Sequence, residues 1–418
     1  MSVAAERTTD LDVPGTEQAA PALLRSQDFR ALFVSSFLVD LGLCLYFFTF
    51  SLFLVEHHFR EQQIGFITAS LTVGTVAGTL PASFLIRRYG LRPVMVGYAL
   101  IAPLLLASRT IFLQVPSQLV LGFLAGIAMS LWTVCFAPTV ARLTTKKNRT
   151  LGFSIFVTMG IGSGAIAGII GGYLPGFVTS LKGHASTDGI RVVLWLACAT
   201  VGVAAAGLIR LRRDTPMPAS SLVSGGFLTR FLVAVGVWSF ALNFFTSFSN
   251  VYLVRELHLP IARIGNIYSV CQVAQVVMVL SAPLLYRRVG LLVGIAMTQI
   301  CTGFVMLALS RAHGVRSAVG LYIALAAVQW MSGPGISALL MNQTPVSQRG
   351  RAAAGYNVVN MAAGATATVI AGRAFQQFRF AGPLRVDALV AICAAMLLFV
   401  LLRGMGSHVL PVEEGAGA

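Results

Sequence analysis

The chain has 418 residues, 56% of them hydrophobic and only 11% charged, with a mean hydropathy of +0.81. Soluble domains carry about a quarter charged residues, so this composition excludes a soluble globular fold and predicts an integral membrane protein. The formal net charge of +16 does not indicate nucleic acid, because the basic residues stand singly or in small clusters between apolar runs.

The chain opens on a polar tail, residues 1–30, broken early by two prolines and expected in the cytoplasm. The apolar run that follows is too long for the core of a signal peptide, so it is expected to be a first membrane span. Twelve such runs follow one another, near 31–55, 64–86, 93–111, 116–141, 152–176, 191–209, 231–254, 264–286, 291–310, 317–341, 353–375 and 386–403. Each is long enough for a hydrocarbon core of about 30 Å. Each must be helical, because an open strand leaves its backbone unsatisfied in lipid. All six cysteines fall inside these runs. None has metal-ligand spacing, so they read as small packing residues, with no metal and no cofactor expected.

A charge at the bilayer centre costs roughly 2.5–3.5 kcal/mol, so charges collect in loops, and their distribution orients the chain. With the N-terminus inside, 19 of the 30 basic residues fall on the cytoplasmic side. That predicts both termini in the cytoplasm. A bacterial inner membrane is the expected location.

The sequence also repeats itself at one offset. FLIRRYGLRP (84–93) and LLYRRVGLL (284–292) align with a shift of 200, so that Arg87, Arg88 and Gly90 match Arg287, Arg288 and Gly290. Arg30 pairs with Arg230, Gly65 with Gly265, Gly164 with Gly364, and Gly172 with Gly372. A six-helix unit is therefore repeated in parallel: an N-terminal bundle over 31–210 and a C-terminal bundle over 228–403. The Pro-, Ser- and Gly-rich stretch 211–227 reads as a cytoplasmic linker, and 404–418 as a cytoplasmic tail. Two such halves around a midplane cavity are a recurring plan of secondary transporters.

Six plus six helices, a cytoplasmic central loop and an R-x-G after the second helix resemble the major facilitator superfamily. The resemblance covers about 30–405. That family's motif between helices 2 and 3 is G-x-x-x-D-R-x-G-R-R, and here it reads S-F-L-I-R-R-Y-G-L-R. Ser83 stands for the first Gly, Arg87 for the Asp and Leu91 for a basic residue, whereas Arg88, Gly90 and Arg92 match. The resemblance implies a cytoplasmic gate formed by Arg87, Arg88, Gly90, Arg92, Arg287, Arg288 and Gly290, in a degenerate form. Gly122 occupies the position of the Arg of the family's proton antiporters, and Ala167-Gly168 that of their Gly-Pro pair. The Gly-rich fifth run still suggests export.

Among candidate functional residues, Asp40 stands out. It lies about ten residues into the first run, or about 15 Å along a helix rising about 1.5 Å per residue. No other acid is expected deep in a span, and intramembrane carboxyls commonly relay protons. Neutral polar residues fall on shared helix faces: Asn243, Thr246 and Asn250; Gln272 and Gln275; Gln329 beside Trp330; Asn357 and Asn360. With Tyr46, Trp132 and Trp238 these are the expected lining of a substrate cavity. No Lys, Arg or His is expected deep in a span, so an anionic substrate is disfavoured.

The sequence thus predicts an all-α membrane protein acting as a proton-coupled exporter of a small neutral or cationic, partly apolar molecule. It is expected to work as a monomer in the lipid bilayer, without enzymatic activity or nucleic-acid partner. The alternatives are a proton-coupled importer of a sugar-like solute and a non-transporting receptor or scaffold.

Overall fold

The computed structural model describes residues 26–144, 149–182, 186–212, 226–344 and 349–403. Both tails up to those limits, and residues 213–225 of the linker, lie outside the described residues. Among the described residues there is no strand, and twelve helical spans are long and apolar enough to cross a membrane. Spans 1 to 6 are Gln27–Glu56, Glu61–Tyr89, Leu91–Ser108, Val115–Leu143, Arg149–Lys182 and Ser186–Leu208. Spans 7 to 12 are Gly226–Arg255, Ile261–Val289, Leu291–Leu309, Val315–Asn342, Arg349–Phe378 and Ala381–Leu402. The predicted runs coincide with these spans, but several helices run past the apolar stretch. Span 5 ends at Lys182 rather than near 176.

The twelve spans form an all-α membrane fold. Spans 2 and 3 are joined by Gly90 alone, at φ 84°, and spans 8 and 9 by Gly290 alone, at φ 86°. With ψ of 175° and 157°, both residues sit in a region open essentially to glycine only. The 200-residue offset thus preserves a backbone geometry. His58 and His258, also 200 apart, share a left-handed conformation just beyond spans 1 and 7. A methyl group at Gly290 would meet nothing within 4 Å, so its penalty is conformational alone. Gly290→Ala is expected to lower stability by about 1–3 kcal/mol, read as a lower melting temperature in detergent.

Two spans are broken, both in the second half. Span 7 divides at Ser247–Phe248 into Gly226–Thr246 and Ser249–Arg255. Span 10 divides at Trp330–Met331 into Val315–Gln329 and Ser332–Asn342. The second break has a local cause: Pro334 lacks the N–H that would bond to the Trp330 carbonyl, and its ring would press on it.

The apolar core shows how the halves meet. At the end remote from the described termini, here called distal, one buried cluster takes Tyr46, Phe48 and Ile64 from the first half and Phe248, Ile264 and Phe375 from the second. Toward the terminal end the core divides. Phe29, Tyr98 and Phe156 belong to one cluster, Phe231, Trp238 and Leu340 to another. The halves are therefore joined distally and separate below.

Polar contacts reinforce the distal seal. Arg255 pairs with Glu61 across the halves and also donates to the Phe59 carbonyl at 2.5 Å. Asn250 donates to Ser51 at 3.0 Å, Asn266 to Tyr173 at 2.8 Å, and Ser269 to the Ala165 carbonyl at 2.7 Å. Where spans 2 and 11 cross, a methyl built on Gly65 would lie 3.3 Å from the Gly372 Cα. Where spans 8 and 5 cross, one built on Gly265 would lie 2.7 Å from the Gly172 Cα. These two crossings exchange under the 200-residue offset, which is the self-complementary logic of a twofold interface.

Candidate functional site

Beneath the distal seal lie two adjoining chambers. The larger, about 510 Å³, sits between spans 5, 7, 8 and 10. Val157 and Ile161 of span 5 face Phe245, Tyr268 and Tyr322, with Gln272 and Gln275 on one face of span 8. The smaller, about 360 Å³, sits between spans 2, 7, 10 and 11. There Thr68 and Thr72 face Trp238, Ser239, Asn243, Tyr356 and Asn360. Gln329, Trp330 and Gly333 line both chambers, so the break in span 10 lies on the boundary between them. Among the described lining residues none carries a charge.

The expected cavity residues divide by location. Trp238, Asn243, Thr246, Gln272, Gln275, Gln329, Trp330 and Asn360 line the chambers. Thr246 reaches across to the Gln329 side-chain oxygen at 3.5 Å. Asn250 lies beyond the break in span 7, in the distal seal. Asn357 is exposed. Tyr46 is fully buried; its hydroxyl donates to the Leu106 carbonyl at 2.9 Å, and its ring stacks on Phe50. Trp132 packs on Tyr98, centroids 5.4 Å apart, inside the first half. Lining residues such as Tyr268 and Tyr322 escaped the sequence reading, although Tyr268 lies one turn before Gln272 on the same face.

Asp40 is half-buried in the first half. Its carboxylate faces the backbone of span 5: a methyl built on Gly160 would lie 3.3 Å from Oδ2. It has no hydrogen-bond or ion-pair partner among the described residues, and the Tyr98 hydroxyl and Cys44 thiol lie in its neighbourhood. One turn further along span 5, the Gln272 amide lies directly over Gly164. The acid and the Gln272 amide thus meet successive turns of one face of span 5.

The residues of the expected cytoplasmic gate lie at the terminal end. Arg87, Arg88, Arg287, Arg288 and Gly290 are exposed, and Gly90 is buried. Arg88 lies over the neighbouring Tyr89 ring at 5.4 Å. Arg92 donates to the Ile209 carbonyl, tying span 3 to the end of span 6 within one half.

Two buried charged groups stand outside the expected set, and the first corrects the expectation that Asp40 is the one acid deep in a span. Asp387, six residues into span 12, is a second buried acid, 2% exposed, with neither carboxyl oxygen partnered among the described residues. Arg109, at the end of span 3, is a buried cation, 1% exposed. Its guanidinium lies 4.3 Å from the Phe50 ring centroid, and its Nε donates to the Gln118 side-chain oxygen at 3.3 Å. The Gln118 amide nitrogen in turn donates to the carbonyls of Arg109 and Phe112, the latter at 2.7 Å. The pair closes the loop between spans 3 and 4 and stands away from both chambers. Gln118→Ala strips a buried cation of its side-chain acceptor, so a loss of about 2–3 kcal/mol is expected, measurable by thermal denaturation.

Comparison with known proteins agrees with this architecture. The Major Facilitator Superfamily profile matches residues 32–368. No curated protein sequence matches the chain. Among solved structures, the nucleoside transporter NupG superposes with a TM-score of 0.71 at 13% identity, covering 89% of this chain and 98% of its own. A bacterial homologue of the human lysosomal transporter Spinster, inward-facing and occupied, gives 0.72 at 12% identity, covering 93% and 98%. The xylose transporter XylE from E. coli, inward open, gives 0.69 at 15% identity, covering 94% and 98%. At such identities the likeness is one of fold. Twelve spans in two related halves, a cavity between them and a profile matching most of the sequence lead to one conclusion: the chain belongs to the Major Facilitator Superfamily, a family of secondary transporters of small molecules.

Proposed function

We propose that this transporter moves a small uncharged, partly apolar molecule, coupled to protons, and acts as an exporter by alternating access. The observation that carries the substrate reading is the lining of both chambers by aromatic, amide and hydroxyl side chains without a charged group. A carboxylate or phosphate taken from water into such a site would lack the cation that offsets its desolvation.

Asp40 is the proposed proton carrier. Its support is its place within span 1, its partial exposure, and the absence among the described residues of a hydrogen-bonding partner that would give it a merely structural role. In this reading the terminal end faces the cytoplasm, and a monomer in a bacterial inner membrane rocks one half against the other. The sealed distal end and divided core then correspond to an inward-facing state. The Gly-rich span 5 favours export over import.

The test is flux in proteoliposomes with a pH gradient imposed in either direction, using uncharged amphiphiles that raise the melting temperature of the purified protein. Gradient-driven flux of a stabilising compound is expected, with counterflow giving the direction. Stabilising compounds whose flux ignores the gradient would refute proton coupling, and uptake with the proton flow would favour import.

A further inference from the structure

The two chambers differ in chemistry. Around the larger, Phe245, Tyr268 and Tyr322 supply ring faces, and Val157, Ile161 and Val279 supply aliphatic surface. Such walls take a flat apolar group through burial and offset ring contacts. The smaller chamber is rich in hydroxyls and amides, and the hydroxyls of Thr68 and Thr72 have already spent their protons. Thr68 donates to the Ile64 carbonyl at 2.8 Å, Thr72 to Thr68 at 3.4 Å, and the Asn243 amide to Ser239 at 2.8 Å. These two threonines thus offer lone pairs, whereas Asn243 keeps a second amide proton as well as its carbonyl oxygen. A wall of hydroxyl acceptors and amide groups beside the Trp238 and Tyr356 rings suits a ligand with many hydroxyls, which both donate and accept, and an apolar ring face. That is the chemistry of a neutral sugar. The shared residues Gln329, Trp330 and Gly333 set the chambers side by side, the arrangement that a two-part molecule would span.

We infer that the chambers are two subsites for the two ends of one uncharged conjugate, a flat apolar ring under spans 5 and 8 and a hydroxyl-rich, sugar-like ring under spans 2 and 11. This rests on the transport reading only in taking the cavity as the substrate site. Trp330, 44% exposed at the break in span 10, marks the junction where the linkage between the two rings would pass.

The experiment titrates the full-length protein in lipid nanodiscs, following its tryptophan fluorescence, with naphthyl β-glucoside, glucose, naphthol and naphthyl β-glucuronide. The glucoside is expected to bind at least about tenfold more tightly than either of its halves, because the second contact becomes intramolecular. The anionic glucuronide is expected to bind about tenfold more weakly than the glucoside. Asn360→Ala should weaken the glucoside and glucose while sparing naphthol. Val157→Trp, which fills the larger chamber from an exposed position on span 5, should weaken the glucoside and naphthol while sparing glucose. A melting temperature near that of the wild type shows that each variant is folded. Three results overturn the inference: a glucoside no tighter than its better half, both variants weakening the same probes, or no binding by any probe. The transport reading is tested separately, by labelling single cysteines placed at the two ends. Accessibility that alternates while the two-part binding fails would sink the subsites and leave transport standing.

Discussion

Asn in place of Asp40 is expected to reduce flux driven by an imposed pH gradient to the level of protein-free liposomes, while substrate counterflow at equal pH continues. The substitution keeps the shape of the side chain and removes the group that takes and releases a proton. Because Asp40 makes no hydrogen bond among the described residues, the variant breaks no partner interaction, and its melting temperature should stay close to that of the wild type. The two fluxes separate coupling from translocation. Unchanged gradient-driven flux would remove Asp40 from the mechanism, and loss of both fluxes would show a role in the conformational cycle itself. Asp387→Asn is the informative control: that acid is buried in span 12 away from both chambers, so gradient-driven flux should survive.

The second large effect concerns the distal seal. Gly265→Leu places a branched side chain where even a methyl would stand 2.7 Å from the Gly172 Cα, and that neighbour is backbone that cannot rotate away. Overpacking of this kind costs about 1–3 kcal/mol, which displaces an equilibrium by about 5- to 150-fold. The sealed arrangement should lose that much population to one open at the distal end. The measurement is the labelling rate of a cysteine placed at Ser51, beside the seal: it should rise in the variant as transport falls. Gly65→Leu, the equivalent change at the other crossing, should act in the same way. If only one of the two raises labelling, the crossings are not equivalent, and the twofold account of the seal fails.

Much of this architecture was legible in the sequence, because lipid forbids charged residues and open backbone and so writes each span as an apolar run. The repeat was legible because it preserves residues that geometry requires, Gly90 and Gly290 above all. The breaks were not. Span 10 carries a breaker in Pro334, but span 7 divides at Ser247–Phe248, where no residue type announces it. That break explains the limit of the polar-stripe argument. Asn243, Thr246 and Asn250 share a face only on an unbroken helix; with the break between them, the first two line the chambers and Asn250 meets Ser51 in the seal. Helical periodicity reports which face a residue occupies, not which neighbour covers it. Arg109 and Gln118 show the same limit: they stand nine residues apart on either side of a loop, and only the packing of spans 1, 3 and 4 buries them.

The uneven distribution of the breaks has a mechanical consequence. Each interruption removes hydrogen bonds from the rod it divides and lowers its bending stiffness, and both fall among the helices that supply most of the chamber walls, whereas spans 1 and 4, their counterparts in the repeat, run unbroken. One half of the molecule is thus the stiffer frame and the other the more compliant one, so in the proposed cycle the grip on a solute would fall on two short hinged rods while the frame turned.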